Sequence, residues 1–219
     1  MKGLSRAVLS MVLLLTAVSA GLAEQGKTAV DRAALSRSRE WFDKGSHYAG
    51  QQQSESAIEA YTKALELNPA FVEAFNARGT MYVRTGRSER ALEDFNKAIA
   101  LDPKNDGAYN NRGMIFIRRG NYRSAVEDLS KAISVNPGRA TYYSNRAAAY
   151  AGQKQFEKSI ADYTIVIGMD PSNADAYAGR GSAAYALGRT DQAAVDLKKA
   201  CSLGSDSGCK SVKALAINK

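Results

Sequence analysis

The stretch Asp106–Arg139, DGAYNNRGMIFIRRGNYRSAVEDLSKAISVNPGR, decides the fold, because a shift of 34 residues in either direction lays it over a near-copy of itself. The clearest markers are Asn68-Pro69, Asp102-Pro103, Asn136-Pro137 and Asp170-Pro171. They stand one period apart and hold all four prolines of the chain. Self-similarity at a fixed period of about 20 to 50 residues marks a solenoid built from one supersecondary unit. Five blocks follow from it: 38–71, 72–105, 106–139, 140–173 and 174–207.

The columns of this register give each block its local structure. Trp41, Phe75, Tyr109, Tyr143 and Tyr177 form an aromatic column. Four residues on stand Gly45, Gly79, Gly113, Ala147 and Gly181, then Tyr48, Tyr82, Phe116 and Tyr150, a column that ends in Ala184 beside Tyr185. Spacings of three and four put these side chains on one face of a first helix, A. After a break at Gly86, Gly120 and Gly188, a second helix, B, carries Ala57, Ala91, Ala125, Ser159 and Ala193. Tyr61, Phe95, Leu129, Tyr163 and Leu197 follow on it, then Ala64, Ala98, Ala132, Val166 and Ala200. Small residues on both helices permit close approach of the two backbones, and the aromatic rows fill the space between hairpins. The proline closing a block cannot continue helix B and restricts the residue before it, so it marks the turn into the next hairpin. No segment alternates with a strand's period of two, and an all-α fold is expected.

Trp41, Gly45, Tyr48, Ala57, Tyr61, Ala64 and Pro69 resemble the full signature of the tetratricopeptide repeat, and the same columns recur in the later blocks. The resemblance covers residues 38–207. It implies a right-handed α/α superhelix of helix-turn-helix hairpins whose A helices line a concave groove for peptides or protein segments. Departures are Ala147, Ser159, Val166, Ala184, and Ser205 at the place of a fifth proline, so the last repeat is expected to be atypical.

Arg78, Arg112, Arg146 and Arg180 are matched sixteen residues on by Asp94, Asp128, Asp162 and Asp196. At about the same level on A and B, they are expected to form a ladder of partly buried ion pairs that fixes the register, since guanidinium suits a bidentate carboxylate contact. The first block has Lys44 and Ala60 instead, so the ladder starts at the second block.

Function belongs to positions that packing leaves over. By resemblance, the groove surface includes Asn76, Thr80, Val83 and Arg84 in the second block, Asn110, Met114, Ile117 and Arg118 in the third, and Tyr185 in the fifth. The asparagines suit an extended peptide backbone, Val83, Met114 and Ile117 offer apolar contact, and Arg84 and Arg118 favour an acidic ligand. The set of residues with which some members of the family clamp a C-terminal carboxylate is missing, since Phe42, Asn76, Asn110, Ser144, Thr141 and Asp175 stand there. An asparagine ladder is matched only by Asn111 and Asn145, with Ala77 and Gly179 on either side.

No catalytic, cofactor or metal site is expected. His47 is the only histidine and has no Cys partner at ligand spacing. Gly179-Arg180-Gly181 follows no strand and is not a phosphate loop.

Before the repeats, Lys2 and Arg6 precede 17 uncharged residues from Ala7 to Ala23, the layout of a secretory signal peptide with cleavage after Ala20 or Ala23. The rival is an uncleaved inner-membrane anchor, for which 17 residues is at the short limit. Residues 24–37 form a lead-in, either loose or a first capping turn, and 208–219 a C-terminal capping segment. Cleavage lowers the net charge of +8 by the two charges of Lys2 and Arg6. No run of five like charges occurs, so nucleic acid is not an expected partner. Export places Cys201 and Cys209 in an oxidising compartment, where a disulfide, two free thiols or a redox pair are the alternatives. ACSLGSDSGC resembles the repeat ends of a cysteine-rich helical-hairpin family of exported bacterial proteins, which implies the disulfide. The expectation is a periplasmic or secreted adaptor, monomeric or weakly self-associating, that binds a protein or peptide in its groove. The alternative is a scaffold of envelope assembly acting through its ends or convex face.

Overall fold

Each Asx-Pro pair ends a helix, and three of the four, at Asn68, Asp102 and Asp170, do so by a double device. In the computed structural model, which describes residues 31–217 with side chains as far as Lys213, the Asx backbone N–H closes the last turn, as from Asp102 to the Ala98 carbonyl at 2.8 Å. Its side chain then turns forward. Asn68 Oδ1 accepts from the Ala70 N–H, Asp102 Oδ1 from Lys104 and Asp170 Oδ1 from Ser172. These local bonds offer the backbone an alternative to helix and start the turn. Where the next helix opens on Asn105 or Asn173, the side chain accepts from the third residue on, Ala108 or Ala176.

The described residues form eleven helices and no strand: α1 over residues 31–50, α2 (Ser54–Leu67), α3 (Val72–Arg84), α4 (Ser88–Leu101), α5 (Asp106–Arg118), α6 (Tyr122–Val135), α7 (Ala140–Gly152), α8 (Phe156–Met169), α9 (Ala174–Ala186), α10 (Thr190–Ser202) and α11 (Asp206–Ile217). Through α10, odd helices are the A members of the five hairpins and even helices the B members. The expected signal peptide, 1–23, lies outside the described residues. So does 24–30 of the lead-in, whereas 31–37 are already helical, so α1 starts ahead of the first block.

The chain divides into two compact units, one ending at Met81 and one starting at Tyr82. In the first, Ala64, Leu65, Phe71 and Ala74 form the core, with Trp41, Phe42 and Phe75 packed against it. In the second, each helix from α4 to α11 packs on the next, and the A helices α5, α7 and α9 also touch their A neighbours. The small columns of the B helices vanish from solvent, with Ala91, Ala98, Ala125, Ala132, Val166, Ala193 and Ala200 all 0 % exposed. Gly113 keeps α5 against α6, for a Cβ there would stand 3.0 Å from Leu129 Cγ.

Turns from A to B share one conformation. Gly86, Gly120 and Gly188 have φ of 76°, 73° and 74°, while Gln52 and Lys154 hold the same left-handed place at 62° and 58° in the first and fourth blocks. The last connection departs from the period. With Ser205 where proline would stand, α10 ends on Gly204 at φ 93°, and the Gly204 and Ser205 N–H groups bond back to Cys201 and Ala200 as in an A-to-B turn. The closing helix therefore begins at Asp206, two residues before the boundary written from sequence, and packs on both α9 and α10 in the way a further A helix would.

Candidate functional site

In the second unit the arginine column forms three rungs. Arg112 donates from Nε and Nη2 to the two oxygens of Asp128 at 2.7 Å each, and Arg146–Asp162 and Arg180–Asp196 repeat the pattern at 2.8 to 2.9 Å. The aspartates are 3 to 6 % exposed. Their hydrogen bonds hold the guanidinium pKa values above the ordinary arginine value although burial opposes this. The remaining nitrogen, Nη1, reaches sixteen residues backwards, to Asn96 from Arg112, Ser130 from Arg146 and Thr164 from Arg180. In the first unit Arg78 makes the same backward bond to Thr62 at 3.0 Å, and its rung partner from sequence, Asp94, belongs to the second unit. Each arginine thus binds the B helix of the preceding hairpin, and in the three rungs its own B helix as well. The polar column Thr62, Asn96, Ser130, Thr164 was the signal for this, and the sequence reading passed over it.

The expected groove residues meet different fates. Asn76 and Thr80 lie half-buried on α3 in the first unit, where Thr80 Oγ1 bonds back to the Asn76 carbonyl. Val83, half-buried, and Arg84, exposed, fall in the second unit. Asn110 is not spare: its Oδ1 accepts from Asn145 Nδ2 at 2.8 Å, and its Nδ2 donates to Asn111 Oδ1 at 3.3 Å, so three asparagines link α5 to α7. Ile117 packs against the cluster of Ala125, Leu129 and Ala149 and is largely a core residue. Met114 is half-buried. Tyr185 is 48 % exposed on α9 at the place equivalent to Ile117. Arg118 is exposed and makes no ion pair among the described residues, whereas its neighbour Arg119 holds Glu89 at 2.8 Å.

One polar clamp was not foreseen. Asp106 Oδ2, at the start of α5, accepts from Tyr142 Oη at 2.8 Å and Asn136 Nδ2 at 3.0 Å, tying three consecutive helices. Burial pushes the Asp106 pKa up, but these bonds and those from the Gly107 and Asp106 N–H groups outweigh it and leave it below the ordinary carboxylate value. Burial and the bond to Asp106 raise Tyr142 to about 12. At the far end Cys201 and Cys209 form the disulfide implied by resemblance, joining α10 to α11.

Tetratricopeptide-repeat profiles match residues 42–106 and 146–207, and a second profile of the same description matches 107–139. The chain belongs to the tetratricopeptide repeat (TPR) family. No curated protein sequence matches it. Among solved structures it is similar to the crystal structure of MamA, at 27 % identity and TM-score 0.69 over 76 % of this chain and 91 % of that one. YrrB, described as a TPR protein with an unusual peptide-binding site, aligns at 20 % identity and TM-score 0.69 over 79 % and 90 % of the two chains. PilF of Pseudomonas aeruginosa aligns at 16 % and 0.72 over 85 % and 90 %. These last two likenesses show the TPR fold. Among the described residues no helix is long and apolar enough to cross a membrane, and no group of His, Cys, Asp and Glu has metal-binding geometry.

Proposed function

We propose that this TPR protein is a non-enzymatic adaptor that binds an extended segment of a partner protein along the A-helix strip of its second unit, across α5, α7 and α9. The observation that carries the reading is the contrast among arginines. Arg112, Arg146 and Arg180 are consumed by aspartates and Arg119 by Glu89, while Arg118 stands exposed and without a carboxylate. Beside it, Met114 supplies an apolar step, the Asn110–Asn145 pair offers remaining hydrogen-bonding capacity to a peptide backbone, and Tyr185 gives an exposed ring. Such a strip suits a partner segment with an acidic residue opposite Arg118. The peptide-binding site of YrrB supports the same use of the fold. The uncharged run Ala7–Ala23 and the Cys201–Cys209 disulfide support a setting in the bacterial envelope or outside the cell.

Binding to an array of acidic and neutral peptides tests this. Arg118→Glu and Met114→Lys should each remove capture of acidic peptides, and Lys131→Glu on the outer side of α6 should leave it intact. Capture unaffected by both strip variants overturns the reading.

A second reading, docking of another copy on the convex side, is favoured by one observation. The i, i+4 pairs Glu59–Lys63, Glu93–Lys97 and Glu127–Lys131 of the first three B helices become Ala161–Ile165 on α8, with Ile165 40 % and Met169 44 % exposed. Sedimentation of wild type beside Ile165→Lys separates this from the first reading, since only self-association should respond.

A further inference from the structure

In the later blocks the seventh and twenty-third places of the period hold the arginine and aspartate of a rung. The first block puts Lys44 and Ala60 there, at the same separation. Ala60 is only 2 % exposed, so the absence of a carboxylate on it leaves a gap at the hairpin junction. That gap is a cleft of about 120 Å³ lined by Trp41, Lys44, Ser56, Glu59, Ala60 and Lys63. Both ammonium groups gather on the Trp41 ring, Lys44 at 4.7 Å and Lys63 at 4.6 Å from its centroid. One acid answers them. Glu59 bonds Lys63 at 2.7 Å, and Lys44 has no carboxylate at ion-pair distance among the described residues. The cleft falls well below the roughly 300 to 1,000 Å³ of small-molecule pockets. It has the size of one side chain, with an indole wall, a hydroxyl and one positive charge in excess.

We propose that this cleft in the first unit receives a single carboxylate from a protein partner, held between Lys44 and Lys63 beside Trp41, in the role that Asp128, Asp162 and Asp196 play internally in later blocks. The site lies in the first unit and stands without the strip on the second. Lysine fits an exchangeable contact here, since its compact ammonium pairs as a point charge and lacks the planar fork with which the arginines lock their aspartates.

Trp41 is the only tryptophan of the chain, so its emission reports on the cleft directly. The full chain is titrated with two capped peptides, one amidated with a single internal glutamate, the other lacking acidic side chains but ending in a free carboxylate. An amidated glutamine peptide is the control. A saturable change is expected with an acid and not with the control, and the peptide that gives it shows whether a side chain or a chain end is recognised. Lys44→Gln should weaken binding about tenfold, the worth of one charge-assisted hydrogen bond. Ala60→Asp should supply the carboxylate internally and abolish the response while circular dichroism stays unchanged. No saturable change with either acid, or an undiminished response in Ala60→Asp, overturns the proposal. Arg118→Glu should leave this response intact, which keeps failure here distinct from failure of the strip.

Discussion

Arg146 grips Asp162 by two parallel hydrogen bonds, 2.8 Å from Nε and 2.9 Å from Nη2, and reaches back to Ser130 Oγ with Nη1 at 3.1 Å. One side chain on α7 thereby ties α8 and α6. With Asp162 only 4 % exposed, removing the carboxylate strands a mostly buried guanidinium. Asp162→Ala should cost about 3 kcal/mol, the lower end for breaking a buried pair. Arg146→Met with Asp162→Leu should recover most of that loss. Urea unfolding of the two variants checks this, and a loss under about 1 kcal/mol for Asp162→Ala would make the rung a surface-type pair.

Lys154 holds φ 58° in the turn where three other blocks use glycine. A left-handed residue with a Cβ carries roughly 1 to 2 kcal/mol of strain, partly offset by the extra freedom glycine has when unfolded. Lys154→Gly should therefore stabilise by roughly 0.5 to 1 kcal/mol, seen as a raised thermal midpoint.

The buried hydroxyl of Ser159 has no hydrogen-bond partner, in a column that is alanine in the other four blocks. An unpaired buried hydroxyl costs about 1 to 3 kcal/mol, and alanine is the better helix former. Ser159→Ala should gain about 1 kcal/mol in denaturant unfolding. A loss would mean that the hydroxyl is satisfied by an internal water.

Periodicity carried these helices because every column is filled by a side chain that only one hairpin geometry can bury. Ala57, Ala91, Ala125 and Ala193 are legible as a close contact, and Gly113 against Leu129 is its counterpart. The forward half of each rung is legible too, since opposite charges at a constant separation have one simple explanation. What escaped the sequence is whatever is made by residues of unlike type or outside the period. The backward bond of each arginine ends on Thr62, Asn96, Ser130 or Thr164, a column united by hydrogen bonding and not by identity. Asp106, Asn136 and Tyr142 meet once only, so no column announces them. Asn110 and Ile117 look unused in a sequence, but the next A helix takes them up through Asn145 and Ala149. Of the expected groove residues, Arg84, Arg118 and Tyr185 are the exposed ones.

The Asp106–Tyr142 bond gives stability an alkaline limit. Tyr142 keeps its proton up to about 12 in the fold against an ordinary 10.0, so the folded chain binds more protons than the unfolded chain between those values. Its contribution is whole below pH 10.0 and is lost as pH rises towards 12. For Asp106, whose pKa is lowered, the contribution is present above 3.8 and lost as pH falls through the lower folded value. Tyr142→Phe should remove one tyrosine from the late part of the tyrosinate absorbance titration, to which Tyr163, raised by burial, also contributes, and flatten the alkaline loss of stability. An unchanged titration would place the late tyrosine elsewhere.

The disulfide closes a loop of eight residues by sequence separation, which in the chain-entropy model contributes about 2.5 kcal/mol. It acts on one helix above all. α11 packs only on α9 and α10 and has no partner hairpin following it among the described residues. Gly208 brings it so close to α10 that a Cβ would stand 2.7 Å from that of Ala200 and 3.0 Å from the Cys201 nitrogen. Replacing Cys201 and Cys209 together by serine should speed amide exchange first in Asp206–Ile217 and Thr190–Ser202, with α5 to α8 keeping their protection. Gly208→Ala, with the disulfide intact, should loosen the same two helices, because backbone atoms of α10 cannot move aside as a flexible side chain does. Uniform acceleration across the second unit in either variant would instead make α11 part of one cooperative block with the hairpins before it.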